Sequence, residues 1–326
     1  MSSIWMGENC DFARGTTPLV SPRQGGGVGG RSGVHDLGAV GLVIRLETDV
    51  NAGCLTEGGM NELQLGTTAL PLGDVTYVMG VINASPDSKN LHTVATTVDD
   101  ALLMADRYRT WGASIIDLGG QSSHYDNPTI AAADEVSRVV PIIDALVTED
   151  HIVAIDTWKP EVAVAALDAG AVIVNDTGGL KDPEMREIVA RHNAAAVAVY
   201  VEGSNPHDVD QIEISEDKAA STAGFFRDLL AALELEGIQN VIVDPGIALN
   251  YRGDYEAYTR MQLDVIASSA ELHALGKPVL IPIPRKRDFH RVIAYMSLAM
   301  EHRADIIRVH DVAVACDLAK LFGRAG

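Results

Sequence analysis

The sequence predicts an α/β protein, a (β/α)8 TIM barrel that follows a flexible N-terminal extension. From Thr76 onward, short apolar runs alternate with longer segments of helical spacing, which is the pattern of βα units around a parallel sheet. Eight such units follow one another and occupy about 250 residues, the usual size of this barrel. A doubly wound sheet can also hold eight strands, but the regular alternation without a second domain favours the barrel.

The eight apolar runs are the predicted strands of the barrel. In chain order they are Thr76–Ala84, Ser114–Gly120, His151–Thr157, Ala171–Thr177, Ala195–Val201, Asn240–Gly246, Pro278–Ile283 and Ala304–His310. In such a barrel the residues at the C-terminal ends of the strands build the active site. These ends are therefore where functional side chains are expected.

The segments between the strands are predicted helices. They are Val98–Trp111, Ala131–Val147, Pro160–Ala169, Glu184–His192, Ser215–Glu236, Ala257–Leu275, Asp288–His302 and Val314–Phe322. Pro160 and Pro183 lie near first-turn positions, where proline is favoured, and acidic residues such as Asp99 complement the positive end of the helix dipole. These start signals support the alternation.

The predicted division of the chain is a Gly- and Ser-rich extension over 1–55 and a barrel over 56–326. Gly25 to Gly30 form a run poor in side chains, which predicts a linker. Their spacing also matches a dinucleotide-binding fingerprint, but no strand pattern precedes it and no helix pattern follows it. A short strand over Val40 to Leu46 remains open.

Charge and cysteine content exclude several classes of function. The 326 residues contain 25 Lys and Arg against 45 Asp and Glu, a formal net charge of −20. Such a chain repels nucleic acid and anionic membranes, although a few focused cations still admit an anionic small molecule. Three cysteines without a C-x-x-C pair indicate neither a disulfide framework nor a zinc site. Without a signal peptide pattern or an apolar run of 18 residues, a cytoplasmic protein is expected.

Polar residues follow seven of the eight predicted strands. They are Asn83, Gly119 to Ser123, Asp156-Thr157, Asn175-Asp176, Asp244 to Gly246, Arg285-Lys286 and Arg308 to Asp311. Any one of them has a simple structural explanation as a helix cap or a member of an ion pair. Together they predict a polar pocket, because buried polar and charged groups are costly unless they are mutually satisfied or bound to a ligand.

The predicted pocket divides by charge. Asp156, Asn175 and Asp244 offer acceptors, which suit a donor-rich, guanidine-like ring edge. Lys286, Arg308 and His310 form the opposite, cationic side, which suits phosphate oxygens or a carbonyl. Asn83 offers a neutral oxygen for Mg²⁺, which completes its shell with phosphate and water. The pattern implies a ligand with a donor-bearing heterocycle at one end and an anionic leaving group at the other.

These residues resemble dihydropteroate synthases and their relatives over Thr76 to Val312. Seven motifs carry the resemblance, in the same order along the chain. They are Val78-Met-Gly-Val-Ile-Asn-Ala-Ser-Pro-Asp-Ser88, Ile116-Asp-Leu-Gly-Gly-Gln-Ser-Ser123, Ile155-Asp-Thr157, Asn175-Asp176, Asp244-Pro-Gly246, Arg285-Lys286 and Arg308-Val-His-Asp-Val312. The resemblance implies a transferase that joins 7,8-dihydropterin-6-ylmethyl diphosphate to p-aminobenzoate with loss of pyrophosphate.

The resemblance also implies a role for each matching residue. The pterin ring is expected on Asp156, Asn175, Asp244 and Lys286, and the diphosphate near Asn83, Arg308, His310 and Mg²⁺, with Asn83 as the metal ligand. Lys286, Arg308 and His310 are the expected catalytic residues. A homodimer is expected from the same resemblance, and Val292, Ile293, Met296 and Met300 are spaced as a helix face that belongs to the core or to the dimer contact.

The departures from the family pattern lie where the second substrate is received. Lys89 follows Pro86-Asp87-Ser88 where the family usually has phenylalanine, and Ser123-His124 stands where it has Thr-Arg. Leu249 replaces an aromatic residue, and Arg287 stands where serine is commoner. Two alternatives to the synthase therefore remain open: a pterin-dependent transferase that uses another nucleophile, and a non-catalytic paralogue that binds pterin. A corrinoid methyltransferase is a more distant alternative, because its methyl donor has no diphosphate for Arg285-Lys286 and Arg308 to bind.

Overall fold

The computed structural model describes residues 62–124, 126–208, 218–250, 254–286 and 288–326. The predicted flexible extension, its boundary at residue 55, the Gly25 to Gly30 run and the possible strand over Val40 to Leu46 lie outside the described residues. So does Arg287.

Eight parallel strands in the described part of the chain form the barrel predicted from the sequence. The strands of the chain are β1 (Glu62–Leu65), β2 (Thr68–Pro71), β3 (Tyr77–Asn83), β4 (Ile115–Gly119), β5 (Val153–Asp156), β6 (Ile173–Asp176), β7 (Ala195–Val199), β8 (Val241–Asp244), β9 (Leu280–Pro282) and β10 (Ile306–Val309). The sheet order is β8-β7-β6-β5-β4-β3-β10-β9, and a parallel bridge between Val243 and Val279 joins its two edges. The (β/α)8 fold is therefore confirmed.

Helices alternate with the barrel strands as predicted. They are α1 (Val98–Trp111), α2 (Ala132–Thr148), α3 (Pro160–Asp168), α4 (Pro183–His192), α5 (Lys218–Leu235), α6 (Tyr255–Ala267), α7 (Ala270–His273), α8 (Phe289–Glu301) and α9 (Val312–Leu321), with a 3-10 turn over Leu91–Thr93. The single helix predicted over Ala257–Leu275 is two helices, because the chain turns at Ser268 and Ser269, where Ser269 Oγ donates to the His302 carbonyl at 3.1 Å. In the described part of the chain, no helix has the length and apolar character needed to cross a membrane.

A hairpin that the sequence analysis missed lies across the N-terminal end of the barrel. Strands β1 and β2 pair in antiparallel fashion, and Leu63 and Leu65 are buried among the first inward-facing residues of the barrel strands, including Tyr77. The Tyr77 hydroxyl also donates to the Pro71 carbonyl at 2.8 Å. The hairpin therefore fills this end of the barrel and leaves the C-terminal end for the site.

The inner faces of the barrel strands change from apolar to polar along their length. In β4, Ile115 belongs to the interior cluster, Ile116 and Leu118 pack outward with the helices, and Asp117 lies between them on the inner face. The same alternation places Arg308 of β10 on the inner face, because its neighbour Ile307 packs outward. The barrel interior thus has an apolar floor and a polar upper layer.

Candidate active site

The polar inner faces of β4, β5, β6 and β10 meet at Arg308. Its Nε donates to Asp117 Oδ2 at 2.6 Å, and its Nη2 donates to Asp156 Oδ2 at 2.6 Å. Asn175 Nδ2 donates to both oxygens of Asp117 at 3.3 Å. Burial alone lowers the pKa of the Arg308 guanidinium, but Asp117 and Asp156 outweigh it and hold that pKa above its ordinary value. Arg308 is therefore a permanent cation between two carboxylates.

The contact between Arg308 and Asp156 differs from the charge division that the sequence predicts. The sequence pattern predicts Arg308 on the side of the pocket opposite Asp156, whereas the structure joins them in a buried ion pair. The reason is geometric, because both side chains point into the narrow interior of one barrel. In this structure Arg308 belongs to both halves of the site.

Asp117 is a site residue to which the sequence pattern assigns no role. Its side chain is fully buried, and it accepts from both Arg308 and Asn175. It was overlooked because it lies inside a strand rather than at its C-terminal end. The available signal was an acidic residue within the apolar run Ile115–Gly119, where an unpaired carboxylate is costly.

A recess of about 40 Å³ lies beside this cluster, with Asp156, Asn175, Thr177, Asp244 and Arg308 in its lining. Burial raises the pKa of Asp156 and of Asp244 to about 7 in each case, although Gly246 N donates to Asp244 Oδ1 at 2.7 Å. Asn175 Oδ1 and the Thr177 hydroxyl are buried and have no hydrogen-bond partner among the described residues. The recess therefore holds polar atoms that only a ligand or water can satisfy.

Lys286 lies at the edge of the site and contacts none of these carboxylates. Its Nζ donates to Gln262 Oε1 at 2.6 Å, and it lies 5.0 Å from the ring centroid of Tyr255 and 4.9 Å from that of Tyr295. Burial and, to a smaller extent, the positive charge of Arg291 lower the pKa of the Lys286 ammonium to about 8. The buried Gln262 and the two tyrosines are not predicted from the sequence, because they lie on helices rather than on strand ends.

Asn83 and His310 both lie against the Thr93 hydroxyl. Asn83 Nδ2 donates to the Thr93 hydroxyl at 2.7 Å, which fixes the amide and leaves Oδ1 as its remaining ligand atom. His310 Nε2 shares a hydrogen bond with Asn90 Nδ2 at 2.8 Å. Burial and the positive charge of Arg308 lower the pKa of His310 to about 3. The sequence pattern predicts His310 as one of the cations, but in this environment the ring is neutral at pH 7.

A cavity of about 240 Å³ opens above the cluster between the loops that follow the strands. Its lining includes Asn83, Lys89, Ser123, His124, Leu249, Tyr255, Lys286, Arg308 and His310. Lys89 Nζ donates to His124 Nε2 at 2.8 Å, which joins the loops after β3 and β4. Burial and nearby Lys89 lower the pKa of His124, so this ring also favours its neutral form. The structure thus gathers the described residues predicted for the second substrate around one opening.

Comparison with known proteins identifies the family. The family described as pterin binding enzyme matches residues 79–316. Dihydropteroate synthase from Synechocystis is 31% identical over 79% of this chain and 93% of its own length. This chain belongs to the dihydropteroate synthase family. The Burkholderia cenocepacia dihydropteroate synthase complexed with 7,8-dihydropteroate superposes with a TM-score of 0.68 at 27% identity, covering 80% of this chain and 95% of that one.

Some relatives in the family are much longer proteins. A probable bifunctional folylpolyglutamate synthase/dihydropteroate synthase from Halobacterium salinarum is 32% identical over 85% of this chain. The chain covers only 34% of that protein's length. The likeness to this bifunctional protein therefore concerns about a third of it.

Proposed function

We propose that this protein is a dihydropteroate synthase that joins 7,8-dihydropterin-6-ylmethyl diphosphate to p-aminobenzoate and releases pyrophosphate. One observation carries the proposal: the recess beside Arg308 holds two ionisable carboxylates, Asp156 and Asp244, together with the unpartnered oxygens of Asn175 and Thr177. A flat heterocycle with several adjacent N–H groups satisfies this set of acceptors. The family relationship supports the same ligand.

The pterin ring is assigned to Asp156, Asn175, Asp244 and Lys286. Ring N–H groups donate to the two carboxylates and to Asn175 Oδ1, and Lys286 donates to an acceptor at the edge of the ring. Because Asp156 already accepts from Arg308, ring donors compete with that guanidinium for the carboxylate. Binding therefore frees part of Arg308 to face the diphosphate.

The diphosphate is assigned to Asn83, Arg308 and His310. The planar guanidinium of Arg308 offers several N–H donors in a fixed arrangement, and neutral His310 offers one N–H. Asn83 Oδ1 fits Mg²⁺, which takes few protein oxygens and completes its shell with phosphate and water. In the described part of the chain no cluster of three His, Cys, Asp or Glu side chains competes for a metal. Bound Mg²⁺ would neutralise part of the diphosphate charge and so favour its departure.

In the proposed reaction, the bond between the pterin methylene carbon and the diphosphate oxygen breaks first. Its electron pair leaves on pyrophosphate, and the charge of the resulting cation spreads into the pterin. The amine nitrogen of p-aminobenzoate then donates its lone pair to the methylene carbon, and the new C–N bond is completed when that nitrogen loses one proton to water. Arg308 stabilises the leaving group, and the enclosed barrel excludes water from the cation.

The second substrate is assigned to the loops that carry Lys89, Ser123, His124, Leu249 and Arg287. Lys89 and His124 join two of these loops at 2.8 Å. A neutral histidine in place of an always charged arginine changes how an anionic nucleophile is recognised. This observation favours a second candidate function, a transferase that delivers the same electrophile to another nucleophile.

The deciding experiment measures pyrophosphate release from the pterin diphosphate and Mg²⁺, with and without p-aminobenzoate, and identifies the products by mass. Release with formation of dihydropteroate supports the synthase. Release without consumption of p-aminobenzoate supports the alternative nucleophile. Pterin binding without any release identifies a non-catalytic paralogue, and neither binding nor release overturns the pocket assignment. Removal of Mg²⁺ with a chelator is expected to slow release.

Three further properties belong to the proposal. A homodimer is tested by light scattering. Of the α8 residues predicted for the core or the dimer contact, Val292, Met296 and Met300 are buried in the core, and Ile293 is partly exposed. A cytoplasmic location is tested by cell fractionation. A separable extension over 1–55 is tested by removing it and measuring thermal unfolding of the remaining 56–326 segment, which is expected to stay folded.

A further inference from the structure

Tyr255 is a large aromatic residue at the rim of the substrate cavity, and the proposed function gives it no role. It is the first residue of α6 and remains 48% exposed. Asp254 caps this helix by accepting from Glu256 N at 2.8 Å and Ala257 N at 3.0 Å, which fixes the turn that carries the tyrosine. The ring is therefore held on the wall of the 240 Å³ cavity by the backbone of a capped helix.

The surroundings of Tyr255 place its ring beside the proposed reaction centre. Lys286 Nζ, which lines the same cavity, lies 5.0 Å from the ring centroid. Stacked aromatic rings have centroids about 4.5–7 Å apart. A reacting amine must come within about 3–3.5 Å of its electrophile. An aromatic ring stacked on Tyr255 would therefore lie in the part of the cavity that Lys286 also lines, next to the position that the proposed function assigns to the pterin.

The chemistry of the neighbouring wall fits an aromatic amine that carries a negative charge. Leu249 lines the same cavity and offers an apolar contact. Arg285 also lines it, is exposed, and forms no ion pair with the described residues. An apolar contact, an aromatic face and an unpaired cation together suit a benzoate ring and its carboxylate.

We infer that Tyr255 is a specificity-determining residue, whose ring stacks against the aromatic ring of the second substrate. The inference rests on the proposed function and adds a residue that the family motifs in this sequence do not contain. Tyr295 serves as an internal contrast. It contacts Lys286 at 4.9 Å like Tyr255, but it is buried and its hydroxyl donates to Gln262, so it supports Lys286 without facing the substrate.

The test compares Tyr255→Leu, which removes the ring, with Tyr255→Phe, which keeps it. Trp111→Leu is the control, because Trp111 is a half-exposed aromatic on α1, 40% exposed, at the opposite end of the barrel. The KM of each substrate is measured separately for all three variants. Tyr255→Leu is expected to raise the KM for p-aminobenzoate about three- to tenfold. The KM for the pterin diphosphate is expected to stay within about twofold, and Tyr255→Phe and Trp111→Leu to resemble the wild type.

Different results overturn the stacking role and the proposed function. If wild-type protein makes dihydropteroate and Tyr255→Leu leaves the KM for p-aminobenzoate unchanged, the stacking role alone is wrong. It is also wrong if both KM values rise together, because Tyr255 then acts only by holding Lys286. If wild-type protein releases pyrophosphate without consuming p-aminobenzoate, then p-aminobenzoate is not the second substrate, and both the proposed function and the stacking role are wrong.

Discussion

Replacing Asp117 with asparagine tests whether the buried carboxylate on β4 organises the site. The substitution keeps the size of the side chain and removes its charge. Arg308 then loses its 2.6 Å charge-assisted contact with Asp117 and keeps only the one with Asp156. A hydrogen bond to a charged group contributes about 1.5–3 kcal/mol to the free energy of unfolding. For a domain of this size, that loss lowers Tm by roughly 3–12 °C.

The same substitution is expected to impair the reaction more than it impairs folding. With one anchor left, the Arg308 guanidinium is no longer fixed toward the diphosphate, and misplacement of a reacting group by about 1 Å can lower the rate on the order of 100-fold. The assays are thermal unfolding by circular dichroism and kcat/KM for pyrophosphate release below the Tm of the variant. Both quantities are expected to fall.

Asp106→Asn provides the matched control for Asp117→Asn. Asp106 accepts from Arg109 Nη2 at 2.5 Å, and both of these side chains are about half exposed; Asp106 Oδ1 also lies 3.4 Å from Nε2 of the buried His151. Surface ion pairs contribute about 0–1 kcal/mol, so this variant should unfold and react almost as the wild type does. If Asp117→Asn matched Asp106→Asn in both assays, the organising role of Asp117 would be refuted.

Three further predictions concern the barrel and its recess. Leu65→Ala in the hairpin is expected to lower the free energy of unfolding, measured by urea titration, by about 2–5 kcal/mol. Leu70 is only partly buried, so Leu70→Ala should lower it much less. Equal losses would contradict the role of the hairpin as a core element. Thr177→Val is expected to leave the free energy of unfolding unchanged or slightly higher, because the Thr177 hydroxyl has no hydrogen-bond partner among the described residues. The same variant is expected to bind pterin more weakly in calorimetry. Unchanged binding would place Thr177 outside the site. Pterin affinity is expected to fall as the pH drops from 7 to 5, because the raised pKa values of Asp156 and Asp244 make both carboxylates take up protons in that range. The expected fall is up to about tenfold per pH unit for each carboxylate that must be ionised. Asp244→Asn should flatten this pH profile, and a flat profile for the wild type would contradict the assignment.

The sequence predicted the barrel because its signal repeats eight times. Each strand reads as a short apolar run, and prolines and acidic residues mark the starts of several helices. The β1–β2 hairpin lacks such support, since it has four-residue strands and a tight turn and resembles a loop. Its one signal is the alternation of Leu63 and Leu65 with exposed Glu62 and Gln64. Only the open end of the barrel explains why those leucines are buried.

The candidate site was predictable at strand ends and not elsewhere. Asn83, Asp156 and Asp244 follow apolar runs directly, so their position along the chain predicts their place in space. Gln262 and Tyr255 reach the site from the faces of helices, and no period in the sequence distinguishes them from surface residues. The contact between Arg308 and Asp156 is also outside the reach of a linear pattern, because it depends on the width of the barrel.

The charges on the inner face of the barrel are unequal, and this inequality explains why the recess binds a donor-rich ligand. Asp117, Asp156 and Asp244 place three carboxyl groups there, whereas Arg308 contacts Asp117 and Asp156 and acts on Asp244 only through its charge. Burial raises the pKa of Asp156 and Asp244 to about 7 in each case. Without a ligand, these carboxylates therefore take up protons readily, which reduces the excess of negative charge. A ligand that brings its own N–H groups can replace those protons and keep the carboxylates ionised. The free energy that the fold gives up to bury these acids is thus recovered when the ring binds, which favours ligands rich in hydrogen-bond donors over equally sized apolar ones.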